Sequence, residues 1–149
     1  MSPRSLETAF TGPEESPGFL LWRVTNRWQA AQRAALKPFG LTHVQFVLLA
    51  SLTWLAADEP VTQRRLAEHA ATDPMMTSQV LRVLEARRLV RRRPHPTDAR
   101  ARALVATAAG RRLANRAVAA VEACDREFFA VLGGDVGGLA ASLRALAQP

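Results

Sequence analysis

Tyrosine is absent from this chain, Lys37 is its only lysine and Cys124 its only cysteine. A single cysteine excludes an intrachain disulfide and a cysteine-rich metal site. His43, His69 and His95 fall on separate predicted elements without paired ligand spacing, so no metal is expected. There is no strand–glycine-loop–helix signature, nucleophile elbow, His-Glu-x-x-His run or carboxylate cluster, which argues against an enzyme and against a cofactor. Cys124 lies mid-helix between Ala123 and Asp125, without the Pro-Cys-His setting of alkyl-repair enzymes, and reads as a small apolar residue. Uninterrupted apolar runs are only a few residues long, predicting no membrane span. The first residues lack an apolar h-region and carry Glu7, Glu14 and Glu15, so no signal peptide is expected and the cytoplasm is the default location.

What is present is arginine. The net charge is +7 over 149 residues, a length that suits one domain with a real core. Arginine and alanine bias partly reflects a GC-rich genome, so position matters more than amount. Arg82, Arg87, Arg88, Arg91, Arg92, Arg93, Arg100 and Arg102 lie in one stretch that holds only two acids, Glu85 and Asp98. Such a local excess is the footprint of phosphate binding; its bland counterpart is a solvated charged face.

Along the chain, residues 1–15 show no sustained period and read as a flexible arm. Ser16-Pro17 is a cap followed by a first-turn proline, opening a helix to about Leu36 with Leu20, Val24, Trp28, Ala31 and Ala35 as its buried stripe. Pro38 and Gly40 break it. Thr42 and Gln45 form a capping box and Leu41 with Phe46 a hydrophobic staple, starting a helix that stops near Ala57. Val61 is a candidate one-residue strand, and Thr62 caps a short helix to about Ala70. Asp73-Pro74 opens the next helix. There Thr77, Val80, Leu81 and Leu84 form a packing face, while Met75, Gln79, Arg82 and Ala86, flanked by Ser78, lie opposite. Met75 and Met76 read equally as filler or as contacts for thymine methyls. Leu89–Arg93 and Ala103–Thr107 flank His95-Pro96-Thr97-Asp98 as a β-hairpin. Thr107 caps a long helix to about Leu132, with Leu113, Ala117, Val121, Cys124, Phe128 and Val131 inward. Gly133-Gly134 ends it and Asp135 caps a last helix.

Helix, turn, helix and basic ribbon in this order describe a winged helix-turn-helix that reads duplex DNA. The expected fold is mainly α (α+β). A DNA-binding lobe at 41–107 carries a two- to three-stranded wing, and dimerisation helices at 16–37 and 108–147 complete a single domain over 16–149. The apolar surface on the terminal helices exceeds what one lobe needs, which predicts a homodimer. The competing reading is an architectural or RNA-binding winged helix with no effector, distinguished by a low ratio of specific to non-specific affinity.

The chain resembles the MarR (multiple antibiotic resistance regulator) transcription factors over about residues 17–147. The resemblance is carried by LTHVQFVLL at 41–49, by LAEHAATDPMMTSQVLRVLEARRLV, and by DARARALVATAAG at 98–110. In the last of these, Asp98, Arg100, Thr107 and Gly110 match the wing signature. Two departures stand out: Arg88 where the family usually has glycine, and Ala106 where it often has leucine. The resemblance implies an intertwined homodimer on a pseudo-palindromic operator, with a recognition helix in each major groove and a wing tip in each flanking minor groove. The candidate DNA-contacting residues are Thr62, Met75, Thr77, Ser78, Gln79, Arg82, Arg93, Asp98, Arg100 and Arg102, with Asp98 expected to orient the Arg100 guanidinium. A repressor released by a small aromatic or phenolic effector is implied, and by position Trp22, Arg23, Phe46 and Trp54 are its candidate lining. The family's peroxide sensors use a cysteine near the first helix and nearby tyrosines, both missing here.

Overall fold

Short polar side chains open five of the helices. In the computed structural model, which describes residues 6–56 and 59–149, the Ser16 hydroxyl accepts from Phe19 N and starts α1 (Pro17–Leu36). The Thr42–Gln45 box closes in both directions, at 3.2 and 3.1 Å, and starts α2 (His43–Leu55). Thr62, Asp73 and Thr107 each accept a backbone N–H, starting α3 (Gln63–Ala70), α4 (Pro74–Ala86) and α5 (Ala108–Phe129). Each cap satisfies a donor that the first helical turn would otherwise leave orphaned. The last helix, α6 (Val136–Leu146), departs from expectation, because Asp135 makes no side-chain cap there. The expected stop near Ala57 and part of the N-terminal arm, residues 1–5, lie outside the described residues; Pro13–Glu15 form a short 3-10 turn.

Between α4 and α5 runs an antiparallel hairpin, β1 (Val90–Pro94) and β2 (Arg102–Ala106), in register from Val90 opposite Ala106 to Pro94 opposite Arg102. Val61 joins it through a single bridge to Leu104, giving the third strand in its minimal form. The core is built from α2, α3, α4, the hairpin base and the first half of α5. Leu36, Leu48, Leu49, Leu52, Val61, Leu66, Leu81, Leu84 and Leu104 are all fully buried in it.

The terminal helices behave differently. On α1 only Gln32 and Leu36 are buried, while Leu20 and Val24 of the expected inward stripe are exposed. On α5 the stripe holds through Leu113, Ala117 and Val121 and weakens at Cys124 and Phe128; just beyond the helix, Val131 is 90 % exposed. α1 is tied to α5 by polar bonds: Trp28 Nε1 and Gln32 Nε2 both donate to Asp125 Oδ1, at 2.8 and 2.7 Å. The stretch Ala108–Leu146 passes as long and apolar enough to cross a membrane by length and composition only. It is not one rod, since the backbone turns at Gly133 (φ 56°, ψ −124°) within the 3-10 segment Ala130–Asp135. The consecutive helices α1 and α2 pass the same test only as a pair bent by 74°.

Candidate nucleic-acid interface

Two helix ends fix the reading element. α3 stops at Ala71, whose φ of 51° is left-handed, with Ala71 N bonded to Glu68 O and Thr72 N to Ala67 O. α4 stops the same way at Arg88 (φ 60°), with Arg88 N on Glu85 O and Leu89 N on Leu84 O. Both are Schellman closures, and both place a side-chain-bearing residue where glycine is easier. Arg88 therefore accepts the left-handed conformation instead of adopting a different cap.

Thr77, expected among the DNA-contacting residues, is fully buried and cannot reach DNA from its place in the core. Its hydroxyl lies 2.8 Å from both Asp73 O and the Thr72 hydroxyl, which locks the turn between α3 and α4. The Asp73 carboxylate accepts from Met76 N at 3.0 Å. With Thr77, Leu81 and Leu84 pointing inward, Met75, Gln79 and Arg82 face out and Ser78 sits at the edge, half-buried. Thr62 is also half-buried, its hydroxyl oxygen engaged by Arg65 N at 3.2 Å.

The hairpin divides its arginines by strand alternation. Arg91 and Arg93 are exposed, whereas Arg92 turns back to Glu85 Oε1 (2.9 Å) and Gln63 Oε1 (2.9 Å), bracing the ribbon to α4 and α3. Arg87 donates to Gly40 O at 2.8 Å. Sequence reasoning misses these two struts; the period-two pattern, with an acid seven residues before Arg92, is the signal that could have found the first. At the tip, His95 Nδ1 accepts from Thr97 N and Asp98 N, at 3.2 and 3.1 Å. Asp98 Oδ1 accepts from the backbone N of Arg100 at 3.0 Å. Asp98 thus shapes the turn through the Arg100 backbone, and no ion pair between its carboxylate and the Arg100 guanidinium is found among the described residues.

Among the described residues the ion pairs are Arg64–Glu68, Arg65–Glu59 and Arg92–Glu85. Arg82, Arg93, Arg100 and Arg102 are exposed with no carboxylate partner among the described residues, on α4 and on the ribbon beside it. Exposed guanidinium groups flanking a helix whose free face presents Gln79 suit a polyanion with readable edges.

A MarR family model matches residues 41–101. The HTH-type transcriptional regulator YdcH of Bacillus subtilis is 45% identical over 122 residues, 81% of this chain and 83% of that protein. The chain belongs to the MarR family. It is a winged helix-turn-helix transcriptional regulator, and its likeness to solved members extends through the terminal helices. CouR of Rhodococcus jostii RHA1, solved with p-coumaroyl-CoA, superposes with a TM-score of 0.80 at 31% identity, covering 93% of this chain and 94% of that one. The Mycobacterium tuberculosis MarR family protein Rv2887, solved with DNA, gives 0.69 at 34% identity, covering 89% and 98%.

The four candidate effector residues differ in exposure in this MarR chain. Phe46 is buried in the core, Trp22 and Trp54 are 67% and 81% exposed, and the Arg23 guanidinium lies 6.0 Å from the centroid of the Phe19 ring. A cavity of about 800 Å3 opens between α1, α5 and α6, lined by Val24, Arg27, Ala31, Cys124, Phe128 and Leu139 among others. Burial first, then the neighbouring Asp125 and Glu127 carboxylates, push the Cys124 thiol pKa up, which disfavours the reactive thiolate.

Proposed function

We propose that the chain acts as a homodimeric, cytoplasmic repressor that is released from a pseudo-palindromic operator by a small aromatic or phenolic effector, with no catalytic step. The observation that carries the DNA part is the set of arginines around α4 that no carboxylate among the described residues engages. Arg82 lies on the helix itself, and Arg93, Arg100 and Arg102 on the ribbon, all exposed. Support for pairing comes from the exposed apolar side chains at both chain ends, Phe19, Leu20, Leu21, Trp22 and Val24 with Val131, Val136, Leu143 and Leu146. Surface of that kind is costly in water and is the usual mark of a subunit interface. Support for an effector comes from the relatives bound to p-coumaroyl-CoA and to salicylic acid.

The test separates helix from wing. Gln79→Ala should chiefly lower discrimination between operator and random DNA, by about 1–3 kcal/mol where the amide had read a base edge with two hydrogen bonds. Arg100→Ala should weaken both DNAs together. It should also flatten the slope of log K against log salt by about 0.9 for each phosphate that the guanidinium had neutralised. An Arg100→Ala protein with unchanged affinity and salt slope would exclude the ribbon as a DNA-contacting wing. Light scattering should give twice 16.3 kDa; a monomer at micromolar concentration would exclude the dimer.

A further inference from the structure

An apolar side chain left on the free face of a helix that enters DNA needs an apolar partner there. Met75 is 71% exposed in the first turn of α4. Successive residues turn by about 100°, so Met75, Gln79 and Arg82 fall in one line opposite buried Thr77, Leu81 and Leu84. That line cannot rotate freely. The Asp73 cap, the Thr77 hydroxyl bonds and the closure at Arg88 fix α4 at both ends. Met76 and Val83 run down one flank, at 48% and 43% exposure, so Met75 is the large apolar group at the centre of the stripe.

The apolar group that base edges present in the major groove is the thymine 5-methyl. A thioether chain is unbranched and polarisable, and can settle on a methyl without a directional bond. With a rise of about 1.5 Å per residue, Gln79 lies about 6 Å beyond Met75 and Arg82 about 4.5 Å further. The stripe therefore spans about three steps of 3.4 Å. Gln79 has the donor and acceptor that adenine N7 and N6 require.

We infer that Met75 selects a thymine in each half-site, within about two base pairs of an adenine read by Gln79. The inference rests on α4 being the groove-inserted helix. It makes Met75 a determinant of operator sequence through its side chain alone.

The experiment uses the full-length protein and a duplex selected by it from random DNA. Each thymine of the half-site is replaced by deoxyuridine in symmetric pairs, which deletes the methyl and leaves the hydrogen-bonding edge intact. One pair should weaken binding about fourfold per methyl, about fifteenfold for both half-sites. Met75→Ala and Met75→Gln should bind the thymine and deoxyuridine duplexes equally, while Gln79→Ala keeps the methyl dependence. A wild-type protein indifferent to every deoxyuridine pair overturns the role of Met75, as does a methyl dependence that survives in both Met75 variants. A selection that yields no consensus overturns the underlying reading of α4 as well, so the two failures are distinguishable.

Discussion

Gly110→Ala is the substitution on which the helix-to-wing junction can be judged most sharply. Gly110 is buried in the first turn of α5, and a Cβ there would lie 2.0 Å from Leu89 O, 3.0 Å from Leu89 C and 3.3 Å from Leu89 Cα. All three are backbone atoms, so no side chain can swing away. Relief requires α5 to back off from the hairpin base by more than about an ångström, the difference between 2.0 Å and ordinary van der Waals separation. That movement pulls on Thr107 N to Leu89 O (3.0 Å), Thr107 Oγ1 to Arg88 O (2.7 Å) and Gly110 N to Thr107 Oγ1 (3.0 Å). Three hydrogen bonds at about 1 kcal/mol each and an overpacking penalty of about 1–3 kcal/mol oppose a helix-propensity gain of about 1 kcal/mol. If about half of the bonding goes, the net is about 1.5–3.5 kcal/mol of destabilisation. Urea unfolding at fixed protein concentration measures it, since the stability of the proposed dimer depends on concentration. Gly18→Ala on α1, whose added Cβ meets nothing within 4 Å, serves as the control and should be neutral or slightly stabilising. A Gly110→Ala protein as stable as the wild type would refute the close approach.

Arg88→Gly should raise stability by up to about 1 kcal/mol, because Arg88 holds φ at 60°. Arg88→Ala, which keeps a Cβ in that conformation, should not; equal urea midpoints for the two variants would dismiss strain as the cause. His43 supplies a pH dependence. Burial lowers its pKa most, with Arg33 adding to the lowering and Asp125 opposing it. Folding thus favours the neutral ring, so the His43 contribution is present above about 6.5 and declines as pH falls below that value toward the folded pKa. His43→Phe keeps an aromatic ring beside Trp28, 5.0 Å away between centroids in the native pair, and should flatten the decline. Identical stability–pH curves for the two proteins would refute it.

How far the residues announce this arrangement differs by region. The lobe is legible because its signals are local. Thr42 with Gln45, Asp73 before Pro74, and Thr107 before Gly110 each sit within one turn of the backbone groups they serve. The hairpin is legible from its turn, within about a residue at each end. Side chains reaching across elements are not. Arg92 looks like Arg91 and Arg93 in a string, yet its partners Glu85 and Gln63 lie on two helices that only the fold brings together. Charge alone pairs Asp98 with Arg100, but a backbone donor two residues away lies within the reach of so short a side chain. Thr77 falls on the packing face of the wheel although expected among the DNA contacts, and packing prevails because its hydroxyl finds two oxygens inside the turn. The aromatic residues expected to line an effector cleft stand out by position, and position alone does not say which side of α1 or α2 they occupy.

The Arg92 strut has a consequence for the operator. It links the ribbon to both helices of the proposed reading unit, which holds the exposed face of α4 and the ribbon at one separation, like the jaws of a caliper. Within a half-site, the distance between what the helix touches and what the ribbon touches is set in the protein. An operator that gains or loses a base pair inside that interval cannot be matched by flexing the lobe. Tolerance to changed spacing falls instead to the segments outside it, where the chain bends at Gly133 and α6 buries no residue of its own. Operators should therefore drift in the interval between half-sites sooner than within them.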